Sequence, residues 1–159
     1  SINKKTLKVA DSQVASRWGN ICDYNNFDLV TPNEFEARFA IGQQDNSIYE
    51  LSKQLIKKNK AKNLILKLGA NGIFCLEKKN QKKYFTIGSF VNNLVDPVGA
   101  GDALCAYSTL GLLATGSLKV ASILGSIAAS IECELDGNIP VKKQDMLKKI
   151  DWYEKLLNK

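Results

Sequence analysis

The eight residues from Asp96 to Ala103, DPVGAGDA, constrain this chain more than any other segment. Two glycines and an alanine leave backbone amides uncovered, and an apolar run from Ala103 to Ala114 that favours a helix follows at once. At the start of a helix, unpaired N–H groups and the positive end of the helix dipole point to the same place. The segment therefore predicts an anion-binding site at a helix N-terminus.

Asp102 is the acidic residue of this segment. A carboxylate beside an anion site repels a phosphate, unless it takes a proton from the group that attacks that phosphate. Small residues with one acid therefore favour phosphoryl transfer to a hydroxyl group. The alternative is structural: Asp102 caps the helix and the glycines shape a turn. The segment by itself leaves both interpretations open.

Composition limits the chemistry. The chain has 159 residues, 45% of them hydrophobic and 24% charged, as expected for one soluble domain. It contains no histidine, which excludes Ser-His-Asp and Cys-His catalysis and leaves a carboxylate, lysine or tyrosine as general base. Its four cysteines are widely spaced, so we expect buried thiols in a reducing cytoplasm and no zinc site. The chain does not begin with Met, so we expect a processed product or a piece of a longer protein.

The net charge of +6 comes from lysines dispersed along the chain, which favours solvated faces over a nucleic-acid surface. An anionic substrate would be attracted by this field. No apolar run approaches the roughly 20 residues that cross a bilayer, and no signal peptide is visible. We therefore expect a cytoplasmic protein that binds neither nucleic acid nor a membrane.

Strand-like and helix-like segments alternate along the chain, which predicts an α/β fold with a mainly parallel sheet flanked by helices. Antiparallel strands are expected toward an edge of that sheet. Because ligands of such sheets lie beyond the carboxyl ends of the strands, we expect the motifs that follow strands to meet in one crevice. The predicted strands are 6–10, 27–31, 63–68, 73–77 and 83–87, and the predicted helices are 14–23, 33–41, 48–59, 103–115, 118–134 and 143–157.

Two further motifs carry polar residues. Asn33 and Glu36 share the first turn of a predicted helix, where an amide and a carboxylate suit a hydrated Mg²⁺ and its phosphates. Spacing alone slightly favours a capping box. Lys67 ends an apolar strand before the turn Gly69–Gly72, and a lysine there is costly unless its amine reaches water or an anion. The amides of that turn suit a nucleotide, and an ordinary hairpin is the alternative.

In this order, the three motifs resemble the C-terminal half of the PfkB (ribokinase-like) carbohydrate kinases. Asp96–Ala103 is similar to the family's D-T-x-G-A-G-D signature, Thr31–Glu36 to its N-x-x-E motif, and Lys67–Gly72 to its nucleotide-binding strand and turn. The resemblance begins near Phe27, and Thr31–Arg38 is similar to members of heptose-type pathways. It implies a partial ribokinase-like three-layer fold, in which residues 1–159 form the C-terminal ATP-binding and catalytic portion without the N-terminal sugar-binding half.

The resemblance also implies an activity, cofactors and roles for single residues. The activity is ATP-dependent phosphorylation of a sugar, a sugar phosphate or a related hydroxyl, with Mg²⁺ and, in some members, a monovalent cation such as K⁺. Asp102 would be the general base, and Gly99, Ala100 and Gly101 would form the anion hole. Asn33 and Glu36 would organise Mg²⁺ and the phosphates, and Lys67, Gly69 and Gly72 would line the nucleotide. Ser126 would contact adenine, and Asp96 would form a cation loop with the Gly137 turn.

The chain departs from the family in two ways. Pro97 replaces the usual threonine and removes a hydroxyl and an N–H, which puts the cation loop in doubt. Family members are near twice this length, so an exposed sheet edge and self-association, or a partner half, are expected. A nucleotide-binding module without catalysis is the main alternative, and the intact Asp102 counts against it. A dinucleotide oxidoreductase fits less well because no G-x-G-x-x-G follows the first strand. An interaction domain fits less well because the polar motifs cluster.

Overall fold

The computed structural model describes residues 6–12, 14–15, 18–137 and 139–158, and of residues 14, 15, 18 and 19 it describes the backbone only. The chain forms two compact units, Ser1–Gly88 and Ser89–Lys159, here called the N-terminal and C-terminal units. The strands are β1 (Val9–Ala10), β2 (Val14–Ala15), β3 (Trp18–Gly19), β4 (Leu29–Val30), β5 (Asn63–Lys67), β6 (Ile73–Glu77) and β7 (Tyr84–Ile87). The helices are α1 (Glu34–Ile41), α2 (Ile48–Asn59), α3 (Ala100–Thr115), α4 (Leu118–Cys133) and α5 (Lys143–Leu157).

The N-terminal unit is built on a five-stranded sheet of order β1-β4-β5-β6-β7. β4 pairs in parallel with β1 and β5, whereas β6 runs antiparallel to both β5 and β7. The sheet is therefore mixed, and its antiparallel strands lie on one side, as predicted. Because β1, β4 and β5 are parallel, the residues that follow them emerge at one edge, called here the carboxyl edge.

The predicted helix over 14–23 is wrong. β2 and β3 pair antiparallel, with Val14 opposite Gly19, and a short 3₁₀ turn over Ile21–Asp23 follows. Gly19 and Asn20 are poor helix formers, and Ile21 is fully buried in the core of this unit. Residues 13, 16 and 17, which the same prediction included, lie outside the described part of the chain.

Helices α1 and α2 belong to the N-terminal unit and end as their sequences predict. Ser47 caps α2 by accepting a hydrogen bond from the Glu50 N–H, and Gly42 ends α1 with a φ of 73°. Leu51, Leu55 and Ile56 of α2 are fully buried in the main core of this unit. The predicted bounds of α2 and α5 are confirmed, whereas α3 begins earlier than predicted, at Ala100.

The C-terminal unit consists of helices α3, α4 and α5 and the segment that precedes them. A Cβ atom at Gly111 would approach the Ala121 backbone to 2.9 Å, and one at Gly125 would collide with Ser108. These two glycines therefore let α3 and α4 pack closely. Met146 of α5 completes a small core with Ile127, Ala128 and Ile131 of α4. None of the helices in the described ranges is long and apolar enough to cross a membrane.

Candidate functional site

Five polar residues at the carboxyl edge of the N-terminal unit form one hydrogen-bonded set, called here the carboxyl-edge network. They come from three strand ends: Asp11 and Ser12 follow β1, Asn33 follows β4 and opens α1 with Glu36 in its first turn, and Lys67 ends β5. Asn33 and Lys67 are also neighbours in an isolated parallel bridge, and the Lys67 N–H donates to the Pro32 carbonyl at 2.9 Å. The parallel pairing thus brings distant segments of sequence together.

Asn33 and Glu36 form a complete capping box at the start of α1. The Glu36 N–H donates to Asn33 Oδ1 at 2.8 Å, and the Asn33 N–H donates to Glu36 Oε2 at 2.8 Å. The Ser12 hydroxyl donates to the same Oε2 at 3.2 Å, and Glu36 is only 7% exposed. The capping-box interpretation of this motif is confirmed, while its role toward Mg²⁺ and phosphate stays a prediction.

Lys67 pairs with Asp11, a residue that sequence reasoning did not single out. The two lie 2.7 Å apart from Nζ to Oδ2, and their side chains are 17% and 24% exposed. Asp11 Oδ1 in turn accepts the Ser12 N–H at 3.0 Å. The expectation that the Lys67 amine reaches an anion is confirmed, and the anion belongs to the chain itself.

The turn Gly69–Gly72 connects β5 to β6 as an antiparallel hairpin. The Leu68 N–H donates to the Gly72 carbonyl at 2.8 Å, and Gly72 has a φ of 81°. A Cβ atom at Gly72 would collide with the Ile87 carbonyl and Gly88, whereas one at Gly69 would meet nothing within 4 Å. Gly69 also has a positive φ, of 59°, so backbone geometry explains both glycines, and the contact of Gly69 with a nucleotide stays a prediction.

The start of α3 in the C-terminal unit is the second candidate region. Gly99 is its N-cap with a φ of 87°, and as a glycine it has no side chain to cap the helix. The N–H groups of Gly101 and Asp102 lie in the first turn, where helical geometry supplies no acceptor. Asp102 is exposed. Donors and one carboxylate therefore share a small surface, as the sequence predicted.

The segment before α3 is tied to the end of α4. The N–H groups of Val95 and Asp96 donate to the Cys133 carbonyl at 2.8 and 3.1 Å, and Asp96 Oδ1 accepts the Val98 N–H at 2.9 Å. Burial raises the pKa of the Cys133 thiol, and the neighbouring Glu134 and Glu132 carboxylates raise it further. These contacts fix Asp96 near the α4 end.

Ser126 lies on the buried side of α4. It is 8% exposed, and its Oγ has no hydrogen-bond partner within the described ranges. Its predicted contact with adenine stays a prediction, and so does the cation loop of Asp96 and Gly137. Gly137 has a φ of 80°, in keeping with the predicted turn.

The sequence of the chain matches the model of the pfkB family carbohydrate kinases over residues 2–144. The chain belongs to this family. The match includes the capping box, the β5 hairpin and the α3 start, the three motifs on which the resemblance depended.

The chain is also similar to individual proteins. It is 32% identical over 111 residues to the bifunctional protein HldE of Helicobacter pylori (strain G27), covering 68% of this chain and 23% of that protein. Ribokinase from Thermotoga maritima superimposes with a TM-score of 0.75 at 23% identity over 91% of this chain and 49% of that one. Arabidopsis thaliana ribokinase complexed with ribose and ATP gives 0.72 at 21% identity, covering 89% and 46%. These structures show the ribokinase-like fold, of which this chain is part, and the chain spans about half their length or less.

The predicted site residues fall into two groups, one in each unit. Asn33, Glu36 and Lys67 meet in the N-terminal unit, and Gly99, Ala100, Gly101 and Asp102 form the α3 start in the C-terminal unit. That both groups face one crevice stays a prediction. Sequence reasoning missed Asp11 and Ser12, although the position of Asp11 directly after a predicted strand was a usable signal.

Within the residues that the structure describes, no three His, Cys, Asp or Glu side chains come close enough to hold a metal ion by themselves. Mg²⁺ is usually held by one or two carboxylates together with waters and substrate phosphates. Glu36 Oε2 already accepts from the Asn33 N–H and the Ser12 hydroxyl, and Asp96 belongs to the C-terminal unit, so a role of either carboxylate toward a metal stays a prediction.

Proposed function

We propose that the protein containing this chain transfers a phosphoryl group from ATP to a hydroxyl group of a sugar or sugar phosphate. The observation that carries the proposal is the start of α3, where Gly99 leaves the first turn without a side-chain cap and Asp102 is exposed in that turn. Membership of a carbohydrate kinase family supports it. So does the ribose and ATP complex of the similar Arabidopsis ribokinase.

In the proposed step, the acceptor hydroxyl oxygen attacks the terminal phosphorus of ATP. The bond from that phosphorus to the bridging oxygen breaks, the electron pair leaves with ADP, and the hydroxyl proton passes to the Asp102 carboxylate. The first-turn N–H groups beside Gly99, Ala100 and Gly101 stabilise the negative charge of the transferring group. Asp102 is thus a proton acceptor, in a place where the backbone favours an anion.

The nucleotide contacts proposed for the N-terminal unit involve the carboxyl-edge network and the turn after it. Asn33 and Glu36 would position Mg²⁺ and the phosphates, with Lys67 beside them and the open side of Gly69 near the nucleotide. The metal, when bound, would neutralise phosphate charge. In the C-terminal unit, Ser126 would contact adenine and Asp96 would approach a monovalent cation such as K⁺. The Gly72 backbone would complete the turn.

The direct test is D102A in the full-length encoded protein. We expect turnover to fall by about 10²- to 10⁴-fold because the proton acceptor is lost, with Mg–ADP affinity changed less than about threefold. D145A is the matched control, since Asp145 is also an acid in the first turn of a helix that lacks a side-chain cap, α5. It should leave turnover unchanged.

The same assay separates the proposal from its main alternative. A protein that binds Mg–ADP but phosphorylates none of a panel of sugars is a nucleotide-binding module without catalysis. Near-normal turnover of D102A would refute the role of Asp102. A seven-carbon sugar and its phosphate are the first acceptors to test, because Thr31–Arg38 resembles heptose-pathway members. Self-association and a cytoplasmic location are further parts of the proposal.

A further inference from the structure

The pair of Asp11 and Lys67 has a position that a purely structural ion pair does not need. It lies at the carboxyl edge, where Lys67 neighbours Asn33 in a parallel bridge and Asp11 is joined through Ser12 to Glu36. The chain has a second Asp–Lys pair, Asp28 with Lys62, whose charged atoms lie 2.6 Å apart just before β4 and β5, at the opposite ends of those strands, and whose lysine is 69% exposed. The two pairs therefore allow a matched comparison.

We propose that Asp11 is a positioning residue that holds the Lys67 ammonium where it contacts a nucleotide phosphate. This inference rests on the proposed function, because it assumes that the phosphates lie at the carboxyl edge. Lysine has a flexible four-carbon stem, so an ammonium with no partner samples many positions. Asp11 restricts it, because Oδ2 accepts from Lys67 while Oδ1 is fixed by the Ser12 N–H.

The geometry lets Lys67 serve both groups at once. An ammonium carries three N–H donors, and the bond to Asp11 uses one of them. The pair has no net charge, so it can stay partly buried before a ligand arrives. The Lys67 side chain is 17% exposed and the Asp11 side chain 24%. A phosphate that binds beside it gains a charged donor already in place, which lowers the entropy cost of binding.

The experiment is a calorimetric titration of the full-length encoded protein with Mg–ADP and, separately, with adenosine. We expect D11A and K67M each to weaken Mg–ADP binding roughly tenfold, the size typical of a coupled pair, and to change adenosine binding less than twofold. D11A added to K67M should cause no further loss, because Asp11 acts through Lys67. D28A, which breaks the matched pair at the opposite strand ends, should change neither affinity.

The other outcomes are decisive as well. If D11A is silent, binds Mg–ADP more tightly, or causes the same loss in the K67M background, the inference is wrong while the nucleotide site stands. If the unsubstituted protein binds no Mg–ADP, the nucleotide site is refuted and the inference with it. Melting temperatures of each variant without ligand identify unfolding. D11N, which keeps an oxygen acceptor for Lys67, then replaces D11A and should lose less affinity.

Discussion

The starts of α1 and α3 use similar residues in opposite ways. At α1, the Asn33 side chain caps the helix, and the buried Glu36 carboxylate accepts from the Ser12 hydroxyl and the Asn33 N–H. At α3, the N-cap is Gly99, which has no side chain that could accept from the first-turn N–H groups, and Asp102 is exposed. The acid at α1 is therefore explained by capping, whereas capping does not explain the acid at α3.

After D102A, the largest effect should come from closing the α3 start. Gly99→Ala places a side chain at a φ of 87°, and Gly116→Ala does the same at 67° at the other end of this helix. The backbone strain is similar at both positions, about 1 kcal/mol. We expect G99A to lower turnover by roughly two orders of magnitude, because the anion donors shift.

G116A is the control for backbone strain, and it should keep near-normal turnover with the same small loss of stability. A coupled assay of ADP release and a thermal melt measure the two quantities. Equal losses of turnover in both variants would show that α3 needs only its fold, and that its N-terminus has no special part in the reaction.

The second comparison is between stability and activity. E36A leaves the Asn33 N–H and the Ser12 hydroxyl without their acceptor, so we expect the free energy of unfolding to fall by about 2–3 kcal/mol. D102A removes an exposed group and should change it by less than about 0.5 kcal/mol. Hydrogen exchange resolves the two units, since the loss should appear in residues 29–67 and spare α4 and α5.

E36Q is the conservative control. It keeps one oxygen acceptor within the capping box and should recover part of the stability that E36A loses. If E36A and E36Q destabilise the unit equally, the negative charge stabilises α1 and the hydrogen bonds do not. If neither changes exchange, the capping box has no part in the stability of the N-terminal unit.

Local signals were sufficient to predict much of both regions. Ser47, Gly42 and Gly116 are helix ends that follow from the chemistry of single residues, and all three were confirmed. The capping box needed only a spacing of three residues. The helix that follows Gly99 was predicted for the same reason, although it begins at Ala100 and not at the predicted Ala103.

Long-range pairing was not predictable in this way. Asp11 and Lys67 are 56 residues apart, and only the parallel order β1-β4-β5 brings their strand ends to one edge. The helix predicted for 14–23 is wrong because the chain pairs β2 with β3 and buries Ile21, and Gly19 and Asn20 add little helix propensity to oppose this. Tertiary context determines both features, and no short window of sequence contains it.

Acidic pH should lower the free energy of unfolding of the N-terminal unit by a smaller amount than E36A does. Burial acts to raise the pKa of Asp28, but hydrogen bonds from Lys62 and from the Lys8 N–H outweigh it, so the pKa lies below its ordinary value of 3.8. A folded pKa below the unfolded one stabilises the protein above about pH 3.8, and this stabilisation is lost as the pH falls through the lowered value.

D28N tests this prediction in the N-terminal unit. Its free energy of unfolding should be lower than that of the unsubstituted protein at pH 7, and the difference should shrink as the pH falls below 3.8 and through the lowered pKa of Asp28, where the native carboxylate becomes protonated. Urea titrations at several pH values measure it. A difference that stays constant with pH would mean that Asp28 stabilises the sheet by packing rather than by charge.

The smallest effect is expected at alkaline pH in the C-terminal unit. Burial and the Glu134 and Glu132 carboxylates raise the pKa of Cys133 above its ordinary value of 9.0. The folded state then binds its thiol proton more tightly than the unfolded state does, so stability is intact below pH 9.0 and declines as the pH rises through the raised value. C133S cannot ionise there, and its stability should decline less between pH 8 and 10.

Because the Cys133 carbonyl accepts hydrogen bonds from the Val95 and Asp96 N–H groups, hydrogen exchange at residues 95–96 should follow the same pH dependence. Equal alkaline losses in both proteins would assign the decline to other groups and leave the segment before α3 independent of this thiol.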